Sequence, residues 1–334
     1  MVTTLAAIGI VATVVVWIGS TALERSSERL ARHYGLPRIV QGAVLAAVGS
    51  SAPEIASAII ATIRYGSFEL GVGVIVGSAV FNILVIPSLS TLLSDGTLDT
   101  GRDIVYKEAQ FYMLSVAALF LVLAMAVIYY PTGGDSLQGV VTRPLAASLV
   151  GLYILYLFVQ YLDVSESSIP SVSLSLRRLL RSWGFLIGGI ALIIVGVEGL
   201  VFAAVSLGEQ FGTPSFLWGL TVVAAATSLP DSLISVRAAR GDEASVSLGN
   251  VLGSNVFDLL VAIPAGVLLA GSATVGFEAA VPMMAFLVVA TVVLFTFART
   301  GMEITDPEAA VMIGLYGVFV VWLVLESVGV LGII

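Results

Sequence analysis

The chain has 334 residues, of which 58% are hydrophobic and only 11% are charged, and its mean hydropathy is +1.08. Soluble domains carry roughly 25% charged residues, so this composition excludes a soluble globular protein and a soluble domain of any size. The net charge of −8 indicates no particular partner in so apolar a chain, and the absence of cysteine excludes thiolate metal sites.

Ten apolar stretches follow one another along the chain, and each is long enough, at about 20 residues, to cross a bilayer as a helix. They lie at residues 2–23, 38–63, 70–93, 106–129, 144–162, 183–206, 214–237, 244–270, 275–298 and 307–327. The sequence therefore predicts an all-α polytopic membrane protein with ten transmembrane helices. The first stretch lacks a basic start and precedes further spans, so we interpret it as a helix and not as a cleavable signal.

Basic residues separate sharply between the two sides of these ten spans. With the N-terminus outside, twelve of the fourteen lysines and arginines fall in cytoplasmic loops, and only Arg64 and Arg143 fall on the outer side. Positive charge is enriched in cytoplasmic loops of membrane proteins. The pattern predicts a multi-pass protein of the cell (plasma) membrane with both termini extracellular.

The two halves of the chain repeat each other. GSSAPE at residues 49–54 returns as ATSLPD at residues 226–231, and GSAVFN at 77–82 returns as GSNVFD at 253–258. Five helices in each half is an odd number, so the second half enters the membrane with the opposite orientation. Inverted repeats of this kind are typical of secondary transporters, although channels also use them.

The repeat defines the expected domain organisation. The first five-helix repeat takes residues 1–165 and contains one motif region at 44–90. The second, inverted five-helix repeat takes residues 181–334 and contains the other motif region at 221–266. A short cytoplasmic linker at 166–180 joins the two.

A proline interrupts each copy of the first motif inside an apolar stretch. Pro53 and Pro230 have no amide hydrogen, so they free carbonyl oxygens near Gly49 and Ala226 and kink or break each helix. Irregular backbone at membrane depth is tolerated only where it is buried or lines a cavity. We therefore expect these carbonyl oxygens to serve as ligands.

Each of the four motifs places a hydroxyl four residues before an acid or an amide. The pairs are Ser50 with Glu54, Ser78 with Asn82, Thr227 with Asp231, and Ser254 with Asp258. A spacing of four puts both side chains on one helix face, and acids within a membrane indicate a functional site. All-oxygen ligands suit a hard cation such as Ca2+ and do not suit zinc or copper.

Charge and packing leave several points open. Two carboxylates balance one divalent ion, so Asp258 is a surplus charge that is either protonated or compensated by monovalent ions. Serines in membrane helices often bond their own backbone or serve helix packing, which is the alternative interpretation of Ser78 and Ser254. Glu198, in the sixth span, lies either at the edge of the site or against a neighbouring helix.

These motifs resemble the two alpha-repeats of the sodium/calcium exchangers in the cation/calcium antiporter superfamily. The resemblance implies a calcium site formed by Glu54 and Asp231, with backbone oxygens near Ser50 and Thr227. It also implies flanking sodium sites, with Asn82 and Asp258 around the centre, and a sliding motion of the first and sixth helices across the other eight. The implied sodium ligands are Ala47, Ser51, Ser78, Ala224, Ser228 and Ser254.

The chain departs from the family pattern at three positions. Ala226 stands where glycine is usual, Asp231 stands where prokaryotic relatives often have glutamate, and Asp258 resembles the potassium-dependent branch. The Gly-Asn-x-x-Glu pattern of the proton/calcium branch is absent from both sites. The loop at 163–182 is too short for the large regulatory domain of animal exchangers.

The sequence predicts a secondary antiporter that exports Ca2+ in exchange for Na+, electrogenically and by alternating access, and not an enzyme. Proton-driven calcium antiport, potassium-dependent exchange and a cation channel are the alternatives. An intramembrane hydrolase is disfavoured because the chain has no cysteine and no membrane histidine. Ca2+ and Na+, and under the alternatives H+ or K+, are the expected transported ions. The protein is expected to lie in the lipid bilayer. No organic cofactor, nucleic acid or protein partner is expected.

Overall fold

The computed structural model describes residues 2–35, 47–93, 97–133, 137–163, 174–239, 244–327 and 330. Within these residues the helices are α1 (Val2–His33), α2 (Ala47–Ser50), α3 (Ala52–Ile63), α4 (Phe68–Leu92), α5 (Gly101–Asp103), α6 (Ala109–Tyr129), α7 (Arg143–Asp163), α8 (Leu176–Phe211), α9 (Ser215–Trp218), α10 (Ala224–Ala239), α11 (Ala244–Phe257), α12 (Ile263–Ala270), α13 (Phe277–Arg299) and α14 (Asp306–Ser327). The π-helical turns Ile104–Glu108, Gly219–Val223 and Asp258–Ala262 join α5 to α6, α9 to α10 and α11 to α12.

Eight segments of the described chain are long and apolar enough to cross a membrane. They are Val2–His33, Phe68–Leu92, Ile104–Tyr129, Arg143–Leu162, Leu176–Phe211, Leu248–Ala270, Ala280–Arg299 and Asp306–Ser327. Two shorter apolar helices, Ala52–Ile63 and Ser215–Leu229, lie where the second and seventh spans are predicted. The predicted helical membrane protein is thus confirmed. The count of ten and the inverted repeat stay predictions, since residues 38–46 lie outside the described part.

Two small antiparallel sheets join loops from the two halves of the sequence. Strand β1 (Thr97–Asp99) pairs with β4 (Glu303–Thr305), and β2 (Gln138–Thr142) pairs with β3 (Ser272–Gly276). The sequence pattern does not predict these strands. Each has only three to five residues, which is too short for an alternating pattern to be recognised between long apolar helices.

Helix α4 lies at the centre of the fold. The most apolar window of α4 is 89% buried, whereas the corresponding windows of α1, α7 and α14 are only 22% buried. Those outer helices expose large apolar side chains, including Ile10, Ile154 and Val318. A soluble protein does not expose apolar surface on this scale, and a lipid environment accounts for it.

Helices α1 and α8 pack together through glycines. A Cβ atom on Gly19 would lie 2.9 Å from the carbonyl oxygen of Gly189, and one on Gly189 would lie 2.8 Å from that of Gly19. Small residues allow two membrane helices to approach this closely. Val16 of α1 and Leu200 of α8 belong to the same buried apolar cluster as Val74 of α4.

Glycine also brings α4 against the segment that leads into α10. A Cβ atom on Gly77 would overlap the carbonyl oxygen of Leu220, and one on Gly73 would lie 3.0 Å from that of Phe216. Only a residue without a side chain fits between the two backbones at Gly77. The next residue, Ser78, is therefore held directly beside α10.

Candidate cation site

The first copy of the repeated motif contains a broken helix, as predicted. Helix α2 ends at Ser50, and Ser51 leaves helical geometry with φ −88° and ψ 6°. Helix α3 then begins at Ala52 with Pro53 in its first turn. This break places Glu54 at the start of α3, where the carboxylate is buried.

The second copy of the motif is built differently. Helix α10 runs from Ala224 to Ala239 without interruption through Pro230, and the irregular turn lies earlier, at Gly219–Val223. Of the predicted kink or break near Ala226, the break is thus not present, because a proline removes one helical hydrogen bond without having to end the helix. The backbone of Asp231 belongs to α10, whereas its side chain lies outside the described part of the structure.

Ser78 connects the motifs of both halves. Its Oγ lies 3.4 Å from Oε1 of Glu54 on α3 and 2.7 Å from Oγ of Ser228 on α10. The side chain of Thr227 also faces the Glu54 carboxylate, and its hydroxyl donates to the carbonyl oxygen of Ala224 at 3.1 Å. All of these polar side chains are buried, so the structure gathers a carboxylate and three hydroxyls into one dry cluster.

Three buried oxygen atoms near this cluster lack a hydrogen-bond partner among the described residues. They are Oε2 of Glu54, Oγ of Ser51 and Oδ1 of Asn82. Burying an oxygen acceptor without a donor costs about 1–3 kcal/mol, and more when the group is charged. A cation supplies the missing positive partner, so the arrangement fits the transport of a hard cation as substrate.

The fourth motif lies on α11 and the π-helical turn after it. Ser254 is buried, and its hydroxyl donates to the carbonyl oxygen of Val251 at 3.0 Å, which is the backbone bonding considered as the alternative for this serine. Asp258 is buried at the start of the turn, and this turn contacts α6 and α7. The described contacts thus place Asp258 beside α6 and α7.

The remaining predicted site residues have backbone roles or different partners. Ala47 and Ser50 form the two ends of α2, and Ala224 is the first residue of α10. Glu198 is held at 3.0 Å by Nη1 of Arg64 and accepts a hydrogen bond of 2.8 Å from the Tyr65 hydroxyl. The second interpretation of Glu198, contact with a neighbouring segment, is the correct one.

One buried polar residue beside the cluster is not among those that the sequence motifs indicate. Asn255 is fully buried between α4 and α11, and its Oδ1 accepts a hydrogen bond of 3.0 Å from Nδ2 of Asn82. The signal was present in the repeat, because Asn255 stands where the first half has Ala79. Aligning the two repeats identifies the residues that both copies share, and this amide occurs in only one copy.

The fold and the buried cluster define a class of protein, a multi-spanning membrane transporter with an oxygen-rich site for a hard cation. A family model described as "Sodium/calcium exchanger protein" matches residues 4–162 and 181–325. The chain therefore belongs to the sodium/calcium exchanger family, which confirms the resemblance seen in the motifs. Members of this family are exchangers and antiporters, so the protein is a transporter and not an enzyme.

Individual relatives agree with this assignment. The chain is 30% identical over 293 residues to the uncharacterized membrane protein MJ0091 of Methanocaldococcus jannaschii, which covers 86% of this chain and 87% of the relative. The sodium-calcium exchanger NCX_Mj superposes with a TM-score of 0.63 at 25% identity, over 95% of this chain and 98% of that one. The H+/Ca2+ exchanger CAX superposes with a TM-score of 0.73 over 98% of this chain and 87% of that one; at 14% identity it shows the fold alone.

Proposed function

We propose that this protein exports Ca2+ across the cell membrane in exchange for Na+, by alternating access and with net movement of charge. The observation that carries the proposal is the position of Ser78, which joins the Glu54 carboxylate to the Ser228 hydroxyl of the other half. Carboxylate, hydroxyl and carbonyl oxygens are the ligands that Ca2+ takes in proteins. The family description supports the same substrate.

In this proposal Glu54 and Asp231 neutralise one Ca2+, and backbone oxygens near Ser50 and Thr227 complete its shell. Na+ ions occupy flanking positions when Ca2+ has left, with Asn82 and Asp258 around the centre. The Na+ ligands are Ala47, Ser51, Ser78, Ala224, Ser228 and Ser254. The burial of Ser51, Ser78, Ser228 and Ser254 supports this assignment.

The choice of Na+ over H+ as the coupling ion rests on the neutral oxygens. Hydroxyls on either side of a shared carboxylate suit a small monovalent cation, whereas a proton needs only the carboxylate itself. NCX_Mj, which the chain matches along almost its whole length, has been studied in crystals soaked with Na+, with Ca2+ and with Sr2+. Proton coupling is the rival, because the fold is also that of CAX. Coupling to K+ in addition to Na+ is a further alternative, because Asp258 resembles the potassium-dependent branch of the family.

The charges of the site make the proposed exchange electrogenic. Glu54, Asp231 and Asp258 provide up to three negative charges, of which Ca2+ balances two. A state loaded with several Na+ ions can then carry more positive charge than the Ca2+ state. Each net charge moved contributes about 2.3 kcal/mol per 100 mV, so a negative-inside potential drives Ca2+ out of the cell.

Alternating access is proposed to use the two inverted five-helix repeats, 1–165 and 181–334, with both termini outside. The glycine-lined pair α1 and α8 supports the motion implied by the family resemblance, because α8 contacts α3 and the two helices share a buried apolar cluster with Ala61 of α3. Apolar surfaces slide without breaking a hydrogen-bond network. The salt bridge between Glu198 and Arg64 lies at the C-terminal end of α3, whereas Glu54, which contacts Ser78, lies at its N-terminal end.

The experiment that tests the proposal compares internal cations. Proteoliposomes are loaded with Na+, K+ or choline and are then diluted into medium containing 45Ca2+. In a fourth sample, without Na+, a pH gradient is imposed across the membrane. We expect uptake only where Na+ is inside. Uptake that follows the pH gradient and ignores Na+ would establish the proton-driven antiporter instead, and uptake in choline would indicate a channel.

A further inference from the structure

Asn255 is a fully buried amide for which the transport scheme above has no role. It lies on α11 beside α4, at the place where the first half of the chain has Ala79. A buried amide is costly unless its donors and acceptor are bonded. Its hydrogen bonds therefore indicate what the residue does.

Those hydrogen bonds determine which way the amide of Asn255 points. Its Nδ2 donates to the main-chain carbonyl oxygen of Ala79 at 3.3 Å. A carbonyl oxygen can only accept, so the NH2 group of Asn255 must face Ala79. Its Oδ1 consequently points to the next turn of α4, where it lies 3.0 Å from Nδ2 of Asn82.

The orientation of Asn255 then determines the orientation of Asn82. Because Oδ1 of Asn255 can only accept, Asn82 must present its NH2 group to Asn255 and direct its own Oδ1 elsewhere. That Oδ1 is buried and has no hydrogen-bond partner among the described residues. The bond from Nδ2 of Asn82 to Oγ of Ser78 is 3.5 Å long, which is too weak to hold the amide by itself.

We propose that Asn255 is a positioning residue that keeps the amide oxygen of Asn82, and not its NH2 group, available to the transported cation. The inference rests on the proposed function, since it takes Asn82 as a member of the cation site. Without Asn255, the Asn82 amide is free to turn over and present hydrogen atoms to the ion. The backbone carbonyl of Ala79 thus orients the amide of Asn255, and Asn255 in turn orients the amide of Asn82 on the same helix as Ala79.

The test uses calcium binding by purified protein, read as the Ca2+ concentration that gives half of the maximal thermal stabilisation in detergent. This readout needs no coupling ion. We expect Asn255→Ala to raise that concentration roughly tenfold, the factor that corresponds to one interaction of hydrogen-bond size. In an Asn82→Asp background the same substitution should not raise that concentration, because a carboxylate presents an acceptor oxygen to the ion in either orientation and has no hydrogen to donate to Oδ1 of Asn255.

A residue on the same helix provides the control. Asn250 is half-buried on α11, and Asn250→Ala should leave the half-maximal concentration unchanged in both backgrounds. If Asn255→Ala does not yield monodisperse protein, Asn255→Ser, whose hydroxyl is too short to make both bonds, is compared in the same way. A lowered melting temperature alone does not count as support, because any packing defect would produce it.

Two results would overturn the inference. An unchanged half-maximal concentration in the Asn255→Ala single variant would show that Asn82 needs no positioning. An equal loss in the unmodified and the Asn82→Asp backgrounds would show that Asn255 acts through packing and not through the amide. Failure of the proposed function is seen separately, as calcium uptake by the unmodified protein that does not depend on Na+.

Discussion

Glu54→Gln is expected to abolish calcium uptake while leaving the protein folded. Glu54 is only 2% exposed, and the neighbouring Ser78 and Thr227 are neutral, so neither solvent nor these two side chains can compensate for the lost charge. Removing one charge from a buried ion pair costs about 3–5 kcal/mol, which corresponds to roughly a thousandfold loss in calcium affinity. The measurement is 45Ca2+ uptake into Na+-loaded proteoliposomes, together with calcium-dependent thermal stabilisation.

The matched control for Glu54→Gln is Glu326→Gln. Glu326 is also a buried acid of a membrane helix, α14, but it lies outside the cluster around Ser78. Its substitution should leave the calcium affinity unchanged. Uptake close to that of the unmodified protein in Glu54→Gln would remove Glu54 from the site.

Asp231→Asn is expected to have an effect as large as Glu54→Gln, because in the proposed scheme both acids balance one divalent ion. The acid is the second-half counterpart of Glu54 in the sequence repeat. If it is the second calcium ligand, as proposed, its loss leaves Ca2+ undercompensated and should again reduce calcium affinity roughly a thousandfold. Uptake and thermal stabilisation by Ca2+ provide the two measurements.

Asp231→Glu separates charge from side-chain size. It keeps the carboxylate and adds one methylene, so we expect sodium-dependent uptake to be retained with an altered calcium affinity. If Asp231→Glu were as inactive as Asp231→Asn, charge balance would not be the reason for the loss. Retained uptake in Asp231→Asn would exclude Asp231 as a primary ligand.

Local signals predicted much of the fold. The apolar stretches locate the long helices because a span of about 20 residues is visible in composition alone. The break at Ser51 follows from Pro53, which cannot donate a backbone hydrogen bond. At Pro230 the helix continues without a break, because a proline limits the local geometry without deciding what the surrounding packing tolerates.

The site was predicted in its components and only partly in its contacts. Spacing of four residues paired Ser50 with Glu54 and Ser78 with Asn82. The contact of Ser78 with Glu54 and Ser228, which lie on other helices, could not be read from that spacing. The pairing of Glu198 with Arg64 could not be predicted, because the two residues are distant in sequence and no periodic pattern connects them. Asn255 was missed because a repeat draws attention to what its two copies share.

The coupling of calcium to sodium and to voltage is tested most directly by one flux measurement. Proteoliposomes are loaded with Na+ and diluted into sodium-free medium containing 45Ca2+, while a K+ gradient with valinomycin sets the membrane potential. We expect uptake to require internal Na+ and to accelerate when the inside is made positive, because Na+ leaving in excess of Ca2+ entering is an outward positive current. Uptake that is independent of internal Na+ would contradict sodium–calcium exchange, and sodium-dependent uptake unaffected by voltage would contradict its electrogenic stoichiometry.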